Sequence, residues 1–453
     1  MNKLTVQWAV GTIGPGVVAM IAGLGTVSAA DFYLCAGETT LTMPDTGEVV
    51  TVWGLAEDDN ANLGDGCGAG VLSVPGPRLD VPAGDTTLNI HVLNNLPQLN
   101  AQDVPVSIVI PGQVAALTPT WVDGAGTVVA TGSRPAGDYT SRVRSFDTET
   151  GRFAIGTYSW TGLKPGTFLY HSGTHPALQV QMGLYGAVTV AAGTGQAYAD
   201  VPYDQEVVLL YSELDPALHA AVAGDDYGPG KAMSSTVNYG PRYFLVNGEP
   251  FSAASVPIAI GDQGGDILLR FLNGGLEPHT LVLQNLYMSV VAEDGNRYPY
   301  AQEQYSVFLP PGKTKDAVLS FDCANPPAPG RSALYDRSLR LSNGGSASAG
   351  GMFSHLELTD GDSDTVVSMC DNCTIVANTD QRDTDGDGFG NRCDTDLNGD
   401  GITNALDIGI LRGVYLSSDA DADFNGDGIV NALDIGILMG YYLQPPGPSA
   451  VAP

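Results

Sequence analysis

The chain has 453 residues, of which 43% are hydrophobic, and its formal net charge is −31 at pH 7. This length predicts two or three domains rather than one core. So acidic a chain is not expected to bind nucleic acid or an anionic membrane surface, because it has few cations to displace their counterions. The acidity is uneven: residues 360–434 hold seventeen Asp and three Arg, a net charge of −14. Acid packed so densely indicates bound cations.

Residues 1–29 are predicted to be an export signal. Lys3 gives a positively charged start, and an apolar run follows from Trp8 to Val27. The small residues that end at Ala29 then provide the spacing that a signal peptidase needs. An uncleaved anchor is the alternative, although the Gly and Pro content of the run favours cleavage. The expected location is therefore secreted, extracellular or periplasmic, with no membrane span after cleavage. Six cysteines in an exported chain predict disulfides, and proximity suggests the pairs Cys35–Cys67, Cys373–Cys393 and, by remainder, Cys323–Cys370.

Residues 31–359 contain many short β-branched or alternating runs that are separated by Gly, Pro, Asn and Asp. This pattern is typical of β-sandwiches or Greek-key barrels, and its length suffices for two. We place the first domain at 30–195 and the second at 196–360, since the pattern breaks near Gly193–Tyr203. One short helix is predicted in LDPALHAAVAG, after Leu214. The predicted fold class is all-β, followed by a small α-helical module.

The C-terminal part contains an internal repeat. Residues 398–416 and 425–443 agree at sixteen of nineteen positions, and in each copy a polar loop leads into apolar residues at helical spacing. A twelve-residue calcium loop takes oxygen ligands at positions 1, 3, 5, 7, 9 and 12, with Gly at position 6. The sequence fits this pattern three times. The predicted ligands are Asp383, Asp385, Asp387, Phe389, Asn391 and Asp394, then Asp396, Asn398, Asp400, Ile402, Asn404 and Asp407, then Asp423, Asn425, Asp427, Ile429, Asn431 and Asp434.

This region resembles two protein families. The duplicated DxNGDGxxNALDxGIL segment resembles a type I dockerin and covers the predicted module at 396–445. The preceding DNCTIVANTDQRDTDGDGFGNRCD resembles a thrombospondin type 3 repeat, in the predicted unit 361–395. The dockerin resemblance implies a calcium-dependent fold and a cohesin partner, and a stand-alone calcium spacer is the alternative. The positions thought to choose the partner hold an Ala-Leu pair in both copies. Residues 446–453 are expected to form a loose tail.

The strand-rich part resembles the multicopper oxidase and copper nitrite reductase family. The resemblance is carried by KPGTFLYHSGTHPALQVQMGLYGAVTV at 164–190, and by GDTTLNIHVLNNLPQ, VPVSIVIPGQ, RYFLVNGEPF, ILLRFLNGG and VVAEDGNRYPY. It implies two cupredoxin-like Greek-key domains and a copper oxidoreductase. The sequence departs from the family at Ser172, where the relatives carry a copper-binding Cys. The chain has six His and no His-x-His pair, whereas the three-copper cluster needs eight imidazoles.

The remaining copper candidates are His171 and His175, with His91, His279, Met182 or a carboxylate as a third ligand. They predict a mononuclear site, because imidazoles suit copper. The alternative is that the pair only forms hydrogen bonds within a loop.

The other histidines are assigned no ligand role. His219 is expected on a helix surface, and His355 is expected to face solvent.

Two functions follow from these observations. The leading hypothesis is an exported multicopper-oxidase-like protein with a degenerate copper site, whose enzymatic activity the sequence leaves uncertain. The alternative is a non-catalytic adhesion or assembly protein. A homo-oligomer is conceivable, since subunits can share metal sites.

Overall fold

The computed structural model describes residues 28–58, 67, 70–261, 265–346 and 349–452. The predicted export signal therefore lies outside the described residues, except for its last two positions. Among the described residues, no helix combines the length and the apolar character needed to cross a bilayer.

The first sandwich packs two four-stranded sheets around one core. Their orders are β2-β1-β4-β9 and β3-β11-β10-β5, and β7-β6-β8 forms a smaller sheet. The strands are β1 (Ala29–Thr42), β2 (Val49–Glu57), β3 (Leu79–Val81), β4 (Thr87–Asn94), β5 (Ile108–Val109), β6 (Thr120–Val122), β7 (Val128–Thr131), β8 (Arg142–Ser145), β9 (Ile155–Thr161), β10 (Gly166–Ser172) and β11 (Tyr185–Val190), with helix α1 (Pro176–Met182) before β11. Strand β4 illustrates why these segments form strands with one face in the core. Its residues Leu88, Ile90 and Val92 are buried in the core and alternate with more exposed residues.

The second sandwich packs a six-stranded sheet, β15-β14-β17-β22-β19-β20, on a five-stranded sheet, β16-β24-β23-β18-β21. A two-stranded ribbon of β12 (Gln196–Tyr198) and β13 (Val201–Pro202) precedes it. The other strands are β14 (Gln205–Leu214), β15 (Tyr243–Val246), β16 (Ile258–Ile260), β17 (Ile267–Asn273), β18 (His279–Leu283), β19 (Met288–Glu293), β20 (Asn296–Gln304), β21 (Ser306–Leu309), β22 (Thr314–Leu319), β23 (Gly330–Asp336) and β24 (Phe353–Leu358). Residues from both sheets, such as Leu269 and Leu281, form its core.

Helix α2 (Pro216–Ala223) confirms the predicted short helix and packs on the first sandwich. Leu218 and Val222 join that core. His219 is 2% exposed, and its Nδ1 lies 2.6 Å from the carbonyl oxygen of Thr51 in β2. The prediction of a surface position for His219 was therefore wrong, since this residue lies on the buried side of the helix with Leu218 and Val222, while Ala217, Ala220 and Ala223 are exposed.

A buried polar network joins the two sandwiches. Arg270 of β17 is 1% exposed and donates hydrogen bonds to Glu206 Oε2 (2.7 Å) and to Thr167 Oγ1 (2.8 Å). Thr167 of β10 in turn donates to Asp316 Oδ1 at 2.5 Å. Because a buried charge is costly unless it is paired, this network fixes how β10 faces the second sandwich.

The C-terminal region has two short helices, α3 (Ala405–Gly413) and α4 (Ala432–Gly440), around a small core that includes Leu411, Phe424 and Leu438. All three predicted disulfides are present, Cys35–Cys67, Cys323–Cys370 and Cys373–Cys393.

The predicted loose tail is wrong for its described residues. The amide of Ala450 donates to the carbonyl oxygen of Asp371 at 2.9 Å, and Ser449 Oγ donates to the carbonyl oxygen of Gly388 at 2.7 Å. Pro-rich sequence lacks donors for a helix or sheet, but its remaining amides and hydroxyls are used here to hold the chain end against residues 371–388.

Candidate metal sites and docking surface

The loop after β10 holds the serine that replaces the expected copper-binding cysteine. Ser172 is fully buried and its Oγ donates to Gln179 Oε1 at 2.6 Å. The neighbouring Thr174 Oγ1 is within hydrogen-bonding distance of Ser107 Oγ (3.0 Å) and Ser145 Oγ (2.9 Å). The centre of the loop is thus a network of neutral hydroxyl and amide groups, which are hard and weak ligands for copper.

His171 and His175 line different cavities. His171, at the end of β10, lines a pocket of about 260 Å³ with Trp160 and Phe146. Its Nδ1 lies 2.9 Å from the carbonyl oxygen of Ser172, and burial lowers the pKa of the imidazole. His175 lines a groove of about 560 Å³ with Arg144.

The backbone at His175 explains the separation. This residue has φ +42° and caps the N-terminus of α1. Its amide is held by the carbonyl oxygen of Arg144 at 2.8 Å. Burial, with a smaller effect of the Arg144 charge, lowers the pKa of His175. Both imidazoles are therefore neutral near pH 7, but they do not open onto one shared cavity.

The possible third ligands have other partners. His91 Nδ1 lies 2.9 Å from Thr157 Oγ1, its Nε2 lies 3.2 Å from Asp31 Oδ1, and its ring stacks on Tyr33. Met182 is fully buried in the core of the first sandwich. Neither side chain is presented as a free ligand.

His279 forms a buried triad with two carboxylates of the second sandwich. Its Nε2 lies 2.7 Å from Glu213 Oε1 and its Nδ1 lies 3.1 Å from Asp336 Oδ2. Burial lowers the pKa of His279, but the hydrogen bonds to Asp336 and Glu213 outweigh it and raise the pKa to about 9. A protonated imidazole with both nitrogens engaged is not a metal ligand.

His355 is half-buried rather than fully solvent-facing. Its ring meets those of Phe353 and Phe251 edge-on.

The donor set does not fit the copper centres of the resembled family. All six cysteines are in disulfides, so no thiolate exists for a blue copper site. In the described part of the chain, neither His171 nor His175 belongs to a cluster of three potential His, Cys, Asp or Glu ligands. Mononuclear copper at these two histidines stays a prediction.

The repeated loops of the C-terminal region are organised by the carboxylate at position 12. Asp407 and Asp434, at position 12, are fully buried. Each carboxylate accepts the amides of positions 3 and 9, at 3.2 and 2.6 Å for Asp407 and at 3.2 and 2.8 Å for Asp434. Asn404 and Asn431 then cap α3 and α4, completing capping boxes with the same two Asp residues. One carboxylate thus organises both the loop and the helix that follows it.

The predicted loop at 383–394 brings its first three carboxylates together. Single oxygens of Asp383, Asp385 and Asp387 all lie within 4.8 Å of one another. Burial, together with the nearby charges of Asp387 and Asp385, raises the pKa of Asp394 to about 7. Asn391 instead bonds to Thr384, through both its Oδ1 and its Nδ2. Such hard, oxygen-only sets suit calcium.

A second acidic cluster was missed in the sequence. Oxygens of Asp360, Asp362 and Asp364 also lie within 4.8 Å of one another. The signal that could have found it is Asp371, eleven residues after Asp360, which completes a twelve-residue spacing.

The helices expose an apolar pair at equivalent places. Leu406 and Leu433, each in the second position of its helix, are both 63% exposed. Their matching exposure makes these two leucines candidates for a protein-binding surface.

The comparisons with known proteins agree with this architecture. Residues 394–443 match the family model described as "Dockerin type I domain". Among solved structures, the chain is similar to the blue copper oxidase from Nitrosomonas europaea, with 18% identity, 73% of this chain and 86% of that chain covered, and a TM-score of 0.51. It is also similar to the copper nitrite reductase from Nitrosomonas europaea, with 19% identity, coverage of 74% and 95%, and a TM-score of 0.48. The comparison with curated protein sequences finds no match.

The fold of the strand-rich part is therefore similar to that of a copper oxidase, and residues 394–443 match the dockerin type I domain. The predicted fold class and both of these resemblances are confirmed. The similarity of residues 371–394 to a thrombospondin type 3 repeat stays a prediction.

Proposed function

We propose that this protein is an exported, calcium-dependent assembly component that attaches to a cohesin-type partner through residues 394–443. Its two sandwiches act as a rigid body and do not carry out oxygen-reducing copper chemistry. The observation that carries the second statement is the hydrogen bond from Ser172 to Gln179 at the place of the expected thiolate. The three disulfides support an oxidising, extracellular location.

Calcium is the group that the tail would hold. In each repeated loop the carboxylates at positions 1, 5 and 12 would contribute charge, and the side-chain oxygens at positions 3 and 9 would complete the set. Bound calcium would relieve the repulsion among these carboxylates and fix α3 and α4 in place.

The docking surface is proposed to include Leu406 and Leu433. The near-identical environments of the two helices make the two halves of the module equivalent, and their apolar tips would be buried by the partner. The test is binding of the full chain to a panel of recombinant cohesins, with calcium and with EDTA.

Leu406→Asp combined with Leu433→Asp is the decisive variant in that test. Substitution in both copies is needed because either copy could serve alone. Val237→Asp provides the control, since Val237 is also an apolar side chain, is 83% exposed, and lies between α2 and β15, outside the C-terminal module. Calcium-dependent binding that the control retains and the double variant loses supports the proposal. No binding to any cohesin would favour the stand-alone calcium spacer.

A mononuclear copper protein is the second candidate. It is favoured by one observation, that burial lowers the pKa of both His171 and His175, so that each offers a neutral imidazole. Titration of the calcium-loaded protein with copper, followed by electron paramagnetic resonance, tests it. One tightly bound, non-blue copper that His171→Ala removes would establish this candidate in place of the non-catalytic body.

A further inference from the structure

The three loops predicted from the sequence share one backbone signature. Positions 4 and 6 are glycines in the left-handed region, and the amide of position 6 points at the carboxylate of position 1. The φ angles of the two glycines are +79° and +93° for Gly386 and Gly388, +67° and +88° for Gly399 and Gly401, and +73° and +92° for Gly426 and Gly428.

Residues 360–371 adopt this signature without any glycine at those positions. Ser363 and Thr365, at positions 4 and 6, have φ angles of +66° and +80°. The amide of Thr365 donates to Asp360 Oδ2 at 2.9 Å, as the amide of Gly428 donates to Asp423 Oδ2 at 2.9 Å in the last loop. The sequence pattern with Gly at position 6 does not include this segment, although positions 4 and 6 have the same left-handed backbone conformation as in the other three loops.

We propose that residues 360–371 form a fourth calcium loop, with Asp360, Asp362, Asp364 and Asp371 as its ligands. Oxygens of the first three lie within 4.8 Å of one another. Asp371 is fully buried, yet its Oδ2 has no hydrogen-bond partner, while its Oδ1 accepts the amide of Cys373 at 2.8 Å. It lies close enough to Asp362 for their charges to interact.

The unpartnered oxygens indicate what is bound. Both carboxylate oxygens of Asp362 are also buried without a hydrogen-bond partner. A buried carboxylate with a free oxygen is costly unless a cation or a donor meets it. Four carboxylates at the 1, 3, 5 and 12 spacing provide an oxygen-only set, and calcium accepts such sets with flexible geometry.

The position of this loop gives the ion a structural task. The loop begins two residues after β24 ends and reaches Cys370, which is bonded to Cys323. Within it, Val367 and Met369 are buried in the core of the second sandwich. Asp364 Oδ2 accepts the amide of Asn378 from the C-terminal region at 2.9 Å. Calcium bound here would therefore brace the junction between the second sandwich and the docking region.

The experiment compares Asp362→Asn with Asp380→Asn in the full chain. Both variants remove one negative charge, but Asp380 lies outside the four loops and is exposed. Calcium per chain is measured by equilibrium dialysis with metal analysis. We expect Asp362→Asn to bind one calcium fewer than the wild type, and Asp380→Asn to bind the wild-type number.

Thermal unfolding provides a second readout that a merely structural role would not reproduce. In EDTA, Asp362→Asn should melt at a higher temperature than the wild type because repulsion is reduced, and its shift on adding calcium should be smaller. An unchanged calcium count in Asp362→Asn overturns the proposal. If that variant does not fold, Asp371→Asn is measured in the same way. The proposal does not depend on a cohesin, and failure of docking with four calcium ions bound would leave it standing.

Discussion

Ser172 Oγ and Gln179 Oε1 are 2.6 Å apart, and this hydrogen bond occupies the place where the resembled oxidases need a copper thiolate. We expect Ser172→Cys to remain colourless after copper loading. A blue centre needs a thiolate together with two imidazoles, and His171 and His175 line different cavities. Burial would also raise the pKa of the new thiol.

Absorption and electron paramagnetic resonance spectra of the copper-loaded variant and the wild type check this prediction. Thr174→Cys, two residues further along the same buried loop, is the control for nonspecific thiol binding. A blue spectrum for Ser172→Cys alone would mean that the loop rearranges to gather both imidazoles.

Removing calcium should unfold residues 371–443 and leave both sandwiches folded. Asp407 and Asp434 are fully buried in loops that each hold two further Asp side chains, so without a cation each loop concentrates uncompensated negative charge. With Asp rather than Glu at position 12, the affinity should lie at the weak extracellular end, about 10⁻⁴ M.

Circular dichroism and limited proteolysis, with calcium and with EDTA, measure this transition. Asp407→Asn with Asp434→Asn should show the EDTA behaviour even in calcium, while Asp380→Asn should behave as the wild type. A tail equally resistant to protease in both conditions would contradict the prediction.

The buried His279 triad predicts a pH-dependent stability. The pKa of this imidazole is about 9 in the folded protein, above its ordinary value of 6.5. Its contribution to the free energy of unfolding should therefore be complete below about pH 6.5 and should be lost as the pH rises through about 9. The amount lost should be on the order of 3 kcal/mol for a group that is 1% exposed.

Denaturant unfolding at pH 6 and pH 9.5 tests this sign. His279→Gln should be clearly less stable than the wild type at pH 6, and the difference should narrow at pH 9.5. An equal difference at both pH values would show that folding does not raise the pKa of His279.

Thr365→Gly should stabilise the protein by about 1 kcal/mol, because a β-branched residue at φ +80° is strained and glycine is not. Thr148→Gly is the matched control, since Thr148 is exposed and is not among the residues with positive φ. It should lose stability through backbone entropy alone. The measurement is thermal unfolding of the calcium-saturated proteins, and a loss of stability in Thr365→Gly would show that its threonine makes a compensating contact.

The parts of the fold that were predictable are those with local signals. The alternation of Leu88, Ile90 and Val92 indicates a strand with one face in a core, and the duplicated loops indicate their helices and caps through spacing alone. The positions of His219 and His279 depend on long-range packing. Their partners Thr51 and Glu213 lie 168 and 66 residues away, so no local pattern could give them.

The disulfide Cys323–Cys370 determines how a mechanical load would travel through the chain. A pull on helices α3 and α4 enters the second sandwich at Cys370 and crosses directly to Cys323, 47 residues earlier in the sequence. The disulfide encloses strands β23 and β24 and the loop at 360–370. Because the force passes through the disulfide, these segments bear no tension. Cys373–Cys393 does the same for the first ten residues of the neighbouring loop at 383–394. A load applied at the C-terminal helices is therefore not expected to peel away the last two strands of the second sandwich.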